Sequence, residues 1–148
     1  MAVKMALFGY CGIYCGDCPN YTHSISNPAK ELRKELRRCS FDKIALTLSK
    51  MPDYQCFNNY HKFYELLEAM INFKCEDCCK RGGGCRNCQI RKCAKDKGLD
   101  GCWQCDEFSS CEMLEKLKAF DSKQTYMRNL RKIKRQGLAA FAKEKTAD

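Results

Sequence analysis

Fourteen of the 148 residues are cysteine, apolar residues recur at helical spacing on both sides of the densest cysteine segment, and alternating β-branched runs are nearly absent. Together these observations predict a mainly α fold. Helices should pack around irregular, metal-stapled loops in a zinc-knuckle-like segment, with little or no β-sheet. The length suits one ordinary domain with a real core and is short for two. We therefore expect a single domain over 1–148, in four parts: an N-terminal cysteine loop at 1–23, a helical part at 24–73, a cysteine-rich metal-binding segment at 74–111 and C-terminal helices at 112–148.

The stretch CGIYCGDC at 11–18 puts Cys11, Cys15 and Cys18 within eight positions, with Gly12 and Gly16 directly after two of them. A chain turning around an ion favours glycine there, because positive φ is open to it and backbone N–H groups can then point at sulfur. Asn27 is placed to cap a helix with Pro28 in its first turn. Leu32, Leu36 and Cys39 follow as a narrow apolar stripe. A helical turn at 42–50 gives way at Pro52. Phe57, Tyr60, Phe63, Tyr64, Leu67, Met70 and Ile71 then recur at helical spacing, the pattern of the strongest core-facing helix. Near the C-terminus Met113, Leu114, Leu117 and Phe120 make one stripe, and Tyr126, Leu130, Ile133 and Phe141 another.

Two cysteines separated by two residues can place both sulfurs on one tetrahedral ion within a tight turn. The spacing occurs at Cys15/Cys18, Cys75/Cys78, Cys85/Cys88 and Cys102/Cys105, with Cys11, Cys93 and Cys111 close by. These eleven are the candidate metal ligands. The three thiols at 11–18 cannot complete a four-coordinate site, so a further ligand is expected from the 75–111 segment. Cys39 and Cys56 stand alone in helical patterns and read as buried free thiols. Adjacent Cys78 and Cys79 are not expected to share one ion, so Cys79 counts only toward an upper limit of three four-thiolate sites. A disulfide framework is the competing reading. C-x-x-C spacing and the missing secretion signal favour metal over it.

The spacing at 11–18 is also that of radical S-adenosylmethionine enzymes, which hold a four-iron cluster. Those enzymes carry an aromatic residue where Asp17 stands, and they need alternating strands and helices over a longer chain. The four-cysteine ferredoxin run is missing too. Two or three zinc ions are the expected cofactor, with an iron–sulfur cluster as the alternative.

The formal charge of +9 treats every cysteine as neutral. A four-thiolate site around a divalent ion carries a net −2, so three of them would lower the total to about +3. The basic excess is weak evidence for a nucleic-acid partner on its own. Arg128, Arg131, Lys132 and Arg135 nevertheless form one helical stripe, a possible contact for nucleic acid or an acidic protein. The glycine run at 81–85 lacks the Gly-Lys-Ser/Thr ending of a phosphate loop. No catalytic constellation is recognisable. Apolar runs of membrane-spanning length are absent and the N-terminus does not read as a signal peptide, so we expect no membrane partner and a cytoplasmic location.

The stretches YCGIYCGDCPNY, GGCRNCQIRKCAKDKGLDGCWQCDEF and NLRKIKRQGLAAF, in that order, resemble an uncharacterised cysteine-rich prokaryotic family, domain of unknown function 3795. The resemblance runs from about Tyr10 to Phe141. It implies zinc binding through Cys11, Cys15, Cys18, Cys75, Cys78, Cys88, Cys93, Cys102, Cys105 and Cys111, and no established reaction. The family usually reads Phe-Pro-Cys where this chain has FSSC. The expected function is a zinc-binding, non-catalytic, metal-stabilised interaction module. An iron–sulfur redox protein or enzyme and a metal-handling protein are the alternatives.

Overall fold

The computed structural model describes residues 6–121 and 123–145. Its helices are α1 (Pro19–Thr22), α2 (Ser26–Arg38), α3 (Phe41–Leu48), α4 (Tyr60–Asn72), α5 (Gln89–Asp96), α6 (Glu112–Glu115), α7 (Thr125–Gln136) and α8 (Leu138–Glu144). Short 3-10 turns lie between several of them. The described residues contain no β-strand. One isolated antiparallel bridge, between Phe8 and Tyr14, is the nearest approach to a sheet. A mainly helical chain is what the missing alternation implies. No helix among the described residues is long and apolar enough to cross a membrane.

The chain divides into two compact units. One joins the N-terminal stretch up to Tyr21 to the chain from Cys75 onward, and the other is Thr22–Lys74.

In the Thr22–Lys74 unit α2 packs along α4. An Arg33–Glu68 ion pair and a 2.6 Å hydrogen bond from Arg37 Nε to the Tyr64 hydroxyl tie the two helices. The Phe41 ring sits 5.9 Å from Phe57 and 5.6 Å from Tyr60. The helix at Tyr60–Asn72 is present, but it is not the main core helix that its periodicity suggests. Only Leu67 is buried, while Phe63 and Met70 are 43% and 38% exposed. A unit this small buries a low fraction of its surface, so a helix face can be correctly phased and still half wet. Leu32 on α2 and Cys39 just after its end are likewise exposed. Asn27 does not cap α2. The helix begins at Ser26, and the Asn27 amide already donates to the His23 carbonyl at 3.0 Å, so the preceding turn satisfies it. Pro28 lies in the first turn as expected.

The core of the other unit is built on α7 and α8. Tyr126, Leu130 and Ile133 form the buried face of α7, and Gly137 at φ 83° separates it from α8, which contributes Phe141. Against them lie Phe8, Leu114, and Ile90, Trp103 and Phe108 from the cysteine-rich segment. The Met113–Phe120 stripe holds only in part: Leu114 is fully buried and Phe120 is 86% exposed. Helix α6 tightens into a 3-10 turn at Lys116–Ala119. Phe120 lies just past the end of that turn, outside the helical stripe.

Candidate metal centre

The first cysteine loop is a tight hairpin. Gly9 N donates to Ile13 O at 2.8 Å, Cys15 N to Leu7 O at 2.8 Å, and Gly12 N closes a turn onto Gly9 O at 3.1 Å, which puts Cys11 at the tip. Gly12 has φ 84°, and a Cβ there would fall 2.7 Å from Leu130 Cγ and from the Tyr126 carbonyl oxygen. The loop is thus seated directly on α7. Gly16 lacks the positive φ expected of it; it is needed because the Tyr14 ring lies where its Cβ would be. Cys18 then closes a 3-10 turn, its N–H donating to Cys15 O at 3.0 Å.

The Cys75 amide donates to Asn20 O at 2.9 Å and brings the second segment alongside the first. Asp77 Oδ1 accepts from the Cys78 amide at 2.7 Å and from Arg81 Nε at 2.6 Å. Arg91 organises the glycine-rich loop that follows. Its guanidinium donates to the carbonyls of Cys79 at 3.2 Å, Gly83 at 2.8 Å, Cys85 at 2.8 Å and Arg86 at 3.0 Å. Cys88 caps α5, its sulfur accepting the Arg91 amide at 3.5 Å.

These contacts gather the thiols into two neighbourhoods. In the first, Cys15 Sγ lies 3.1 Å from Cys78 Sγ, and the Cys79 thiol also donates to Cys78. A Cβ at Gly9 would lie 3.1 Å from Cys79 Sγ and 3.7 Å from Cys11 Sγ, so those two sulfurs flank one backbone position. Cys78 is fully buried. Its sulfur accepts from the Cys15 and Cys79 thiols, which lowers its pKa and raises those of both donors. Burial pushes the Cys11 thiol up to about 11.

In the second neighbourhood, Cys93 on α5, Cys102 and Cys105 on one 3-10 turn, and Cys111 at the start of α6 line a common cavity of about 310 Å³. Ile90, Phe108 and Leu114 are its buried apolar wall. The Cys102 amide donates to Tyr10 O at 2.8 Å. Burial pushes the Cys102 thiol up to about 12.

Among the described residues, no three His, Cys, Asp or Glu side chains already form an arrangement that could hold a metal ion. The donor set is nonetheless chemically suited to one. All fourteen cysteines are free thiols, and 3.1 Å is well beyond the disulfide length of about 2.05 Å. A zinc ion with Zn–S of about 2.3 Å spaces its sulfurs about 3.8 Å apart, so Cys15 and Cys78 would separate by about 0.7 Å to share one.

Of the other expected ligands, Cys18, Cys75 and Cys88 are partly buried and Cys85 is exposed. Cys39 and Cys56 are exposed in the Thr22–Lys74 unit, not buried as their lone placement suggested. Sequence reasoning counted Cys79 only toward the upper limit of sites, and passed over Arg91 and Asn129. Three consecutive glycines leave several carbonyls without side-chain cover, which is a signal for a nearby guanidinium such as Arg91. Asn129 shares a helical face with Tyr126, Leu130 and Ile133, and a polar residue on a core face is a signal for a specific partner. In the basic stripe Arg128, Arg131 and Arg135 are exposed, while Lys132 pairs with Glu144.

The family model described as a protein of unknown function, DUF3795, matches residues 7–116. The chain belongs to the DUF3795 family. No curated protein and no solved structure matches it. The DUF3795 match takes in every cysteine of both neighbourhoods and stops before α7. The resemblance, expected to run to Phe141, is matched as far as residue 116.

Proposed function

We propose that this DUF3795 protein is a zinc-binding, non-catalytic module in which thiolate sites hold the N-terminal loop to the 74–111 segment. The supporting observation is the segregation of its thiols. All cysteines except Cys39 and Cys56 fall in one compact unit, where Cys15 and Cys78 meet across 63 positions without a disulfide. Soft thiolates with C-x-x-C spacing suit zinc, and holding distant segments together is what structural zinc does. Elemental analysis of protein purified anaerobically tests the reading. Two or three zinc ions per chain are expected; one or none in undamaged protein overturns it. The exposed guanidinium groups of Arg128, Arg131 and Arg135 are the face such a module would offer to an anionic partner. Nucleic-acid binding that falls steeply with salt would support that partner, and no binding at low salt would remove it.

A second reading, an iron–sulfur cluster, draws on the cavity of about 310 Å³ lined by four thiols, which is roomier than a lone ion needs, since four cysteines also hold cubane clusters. Brown protein carrying iron and inorganic sulfide after anaerobic purification would favour it. Colourless protein carrying zinc would exclude it.

A further inference from the structure

The eleven expected ligands do not say which thiols share an ion, and the backbone separates them in a way their spacing does not. We infer that Cys93, Cys102, Cys105 and Cys111 are the four ligands of one zinc ion, in a site distinct from the group around Cys15 and Cys78. This rests on the zinc-binding reading above and gives it a ligand set.

Three features carry the assignment. First, the four thiols line one cavity, and no other cysteine lines it with them. Four is the ligand number of a closed structural zinc site. Second, each thiol is held by regular local structure. Cys105 N donates to Cys102 O at 3.0 Å, the same turn that Cys18 makes onto Cys15, so a short C-x-x-C turn supplies two ligands together. Cys93 is in α5 beside buried Ala94, and Cys111 directly precedes α6, which packs against α5. The two single ligands therefore come from two helices already in contact.

Third, the surroundings suit a site of net charge −2. Lys97 lines the same cavity, with Glu107 3.6 Å from its ammonium, so a cation stands beside the four sulfurs. Ile90, Phe108 and Leu114 give the cavity a buried apolar wall. Cys11 is set apart from these four: it neighbours Cys79 across Gly9 and does not line the cavity.

The test counts zinc in full-length protein loaded anaerobically. Each of C93S, C102S, C105S and C111S should lose one equivalent. The C102S/C105S double variant should lose no more than either single variant, because both remove the same ion. C15S should lose a different equivalent, so that C15S/C102S loses two. Equal loss in C15S and C15S/C102S, or a full complement in C111S, overturns the assignment. If the serine variants fail to fold, wild-type protein answers the question. During chelator titration with thiol alkylation read by mass spectrometry, Cys93, Cys102, Cys105 and Cys111 should become reactive in one step, apart from Cys15 and Cys78. Release of all six together overturns the inference. Wild-type protein without metal overturns the zinc-binding reading itself, and the ligand assignment with it.

Discussion

Asn129 Nδ2 donates to the Gly12 carbonyl oxygen at 2.8 Å, joining the buried face of α7 to the first cysteine loop across 117 positions. Both groups are out of water, so replacing Asn129 by Leu keeps the bulk and leaves that carbonyl unpaired. We expect a loss of about 1–3 kcal/mol, read as a lower denaturant midpoint at unchanged slope, together with faster alkylation of Cys11. An unchanged midpoint would mean that the contact does not anchor the loop.

Gly12 and Gly98 form a matched pair. Both have positive φ, 84° and 64°, but a Cβ at Gly98 meets nothing within 4 Å, whereas at Gly12 it meets Leu130 and the Tyr126 carbonyl. G98A should cost about 1–2 kcal/mol of backbone strain. G12A should cost that and about 1–3 kcal/mol more for the clash. Equal losses would show that the loop is not seated against α7.

Arg91 bonds four carbonyls at once, a task suited to a planar fork of donors and not to a single ammonium. R91K should therefore behave nearly like R91A. In both variants amide exchange should quicken within residues 79–86 while α7 stays protected. Wild-type exchange in R91K would sink the idea.

The thiols make alkaline pH informative. In metal-free protein burial disfavours the thiolate and pushes Cys11 up to about 11 and Cys102 up to about 12, against an ordinary 9.0. A raised value means that the folded state holds these protons more tightly than the unfolded chain does. Their contribution is therefore complete below about pH 9 and is lost as pH climbs toward 11 and 12. Melting temperature of the apo protein should fall across that window. Zinc acts in the opposite direction: ligation displaces the protons, so loading should release them and affinity should rise with pH through neutrality. Calorimetry in buffers of differing ionisation enthalpy reads the release directly, and no buffer dependence would contradict it.

Chelation under reducing conditions should unfold the cysteine-rich segment before the helices that flank it. Residues 74–111 hold few large apolar side chains, and of these Ile90, Trp103 and Phe108 reach the core. Helices α7 and α8 supply most of the remaining apolar face and should keep part of their amide protection. If exchange at 74–111 is the same with and without chelator, metal is not what orders it.

How far the fold was legible depends on which physical signal each element carries. The Tyr126, Leu130, Ile133 and Phe141 face was readable because periodicity and burial coincide there. The Phe57–Ile71 pattern was read with the right phase and the wrong weight. Periodicity states which side of a helix is apolar, not how much protein stands against it. Asn27 illustrates a second limit, since a cap residue is superfluous where the preceding turn already accepts its amide. At the candidate site, cysteine spacing marked the turns at Cys15/Cys18 and Cys102/Cys105, which are local. It carried no information on Cys79 joining Cys11 and Cys15, nor on the Arg91 and Asn129 contacts, because those are set by tertiary approach between segments far apart in the chain.

The unit that holds Cys15 and Cys78 is interrupted in sequence by Thr22–Lys74, and this has a consequence for biosynthesis. A ribosome adding about 5–20 residues per second takes about 3–13 s to traverse the 63 positions between those two cysteines. Throughout that interval Cys11, Cys15 and Cys18 have emerged without their later neighbours, while the intervening helices can already pair with each other. The first loop must therefore wait as reduced, unclaimed thiols until the second segment arrives. Oxidants or stray ions met during that wait, rather than any weakness of the finished fold, are where assembly of this protein is most exposed.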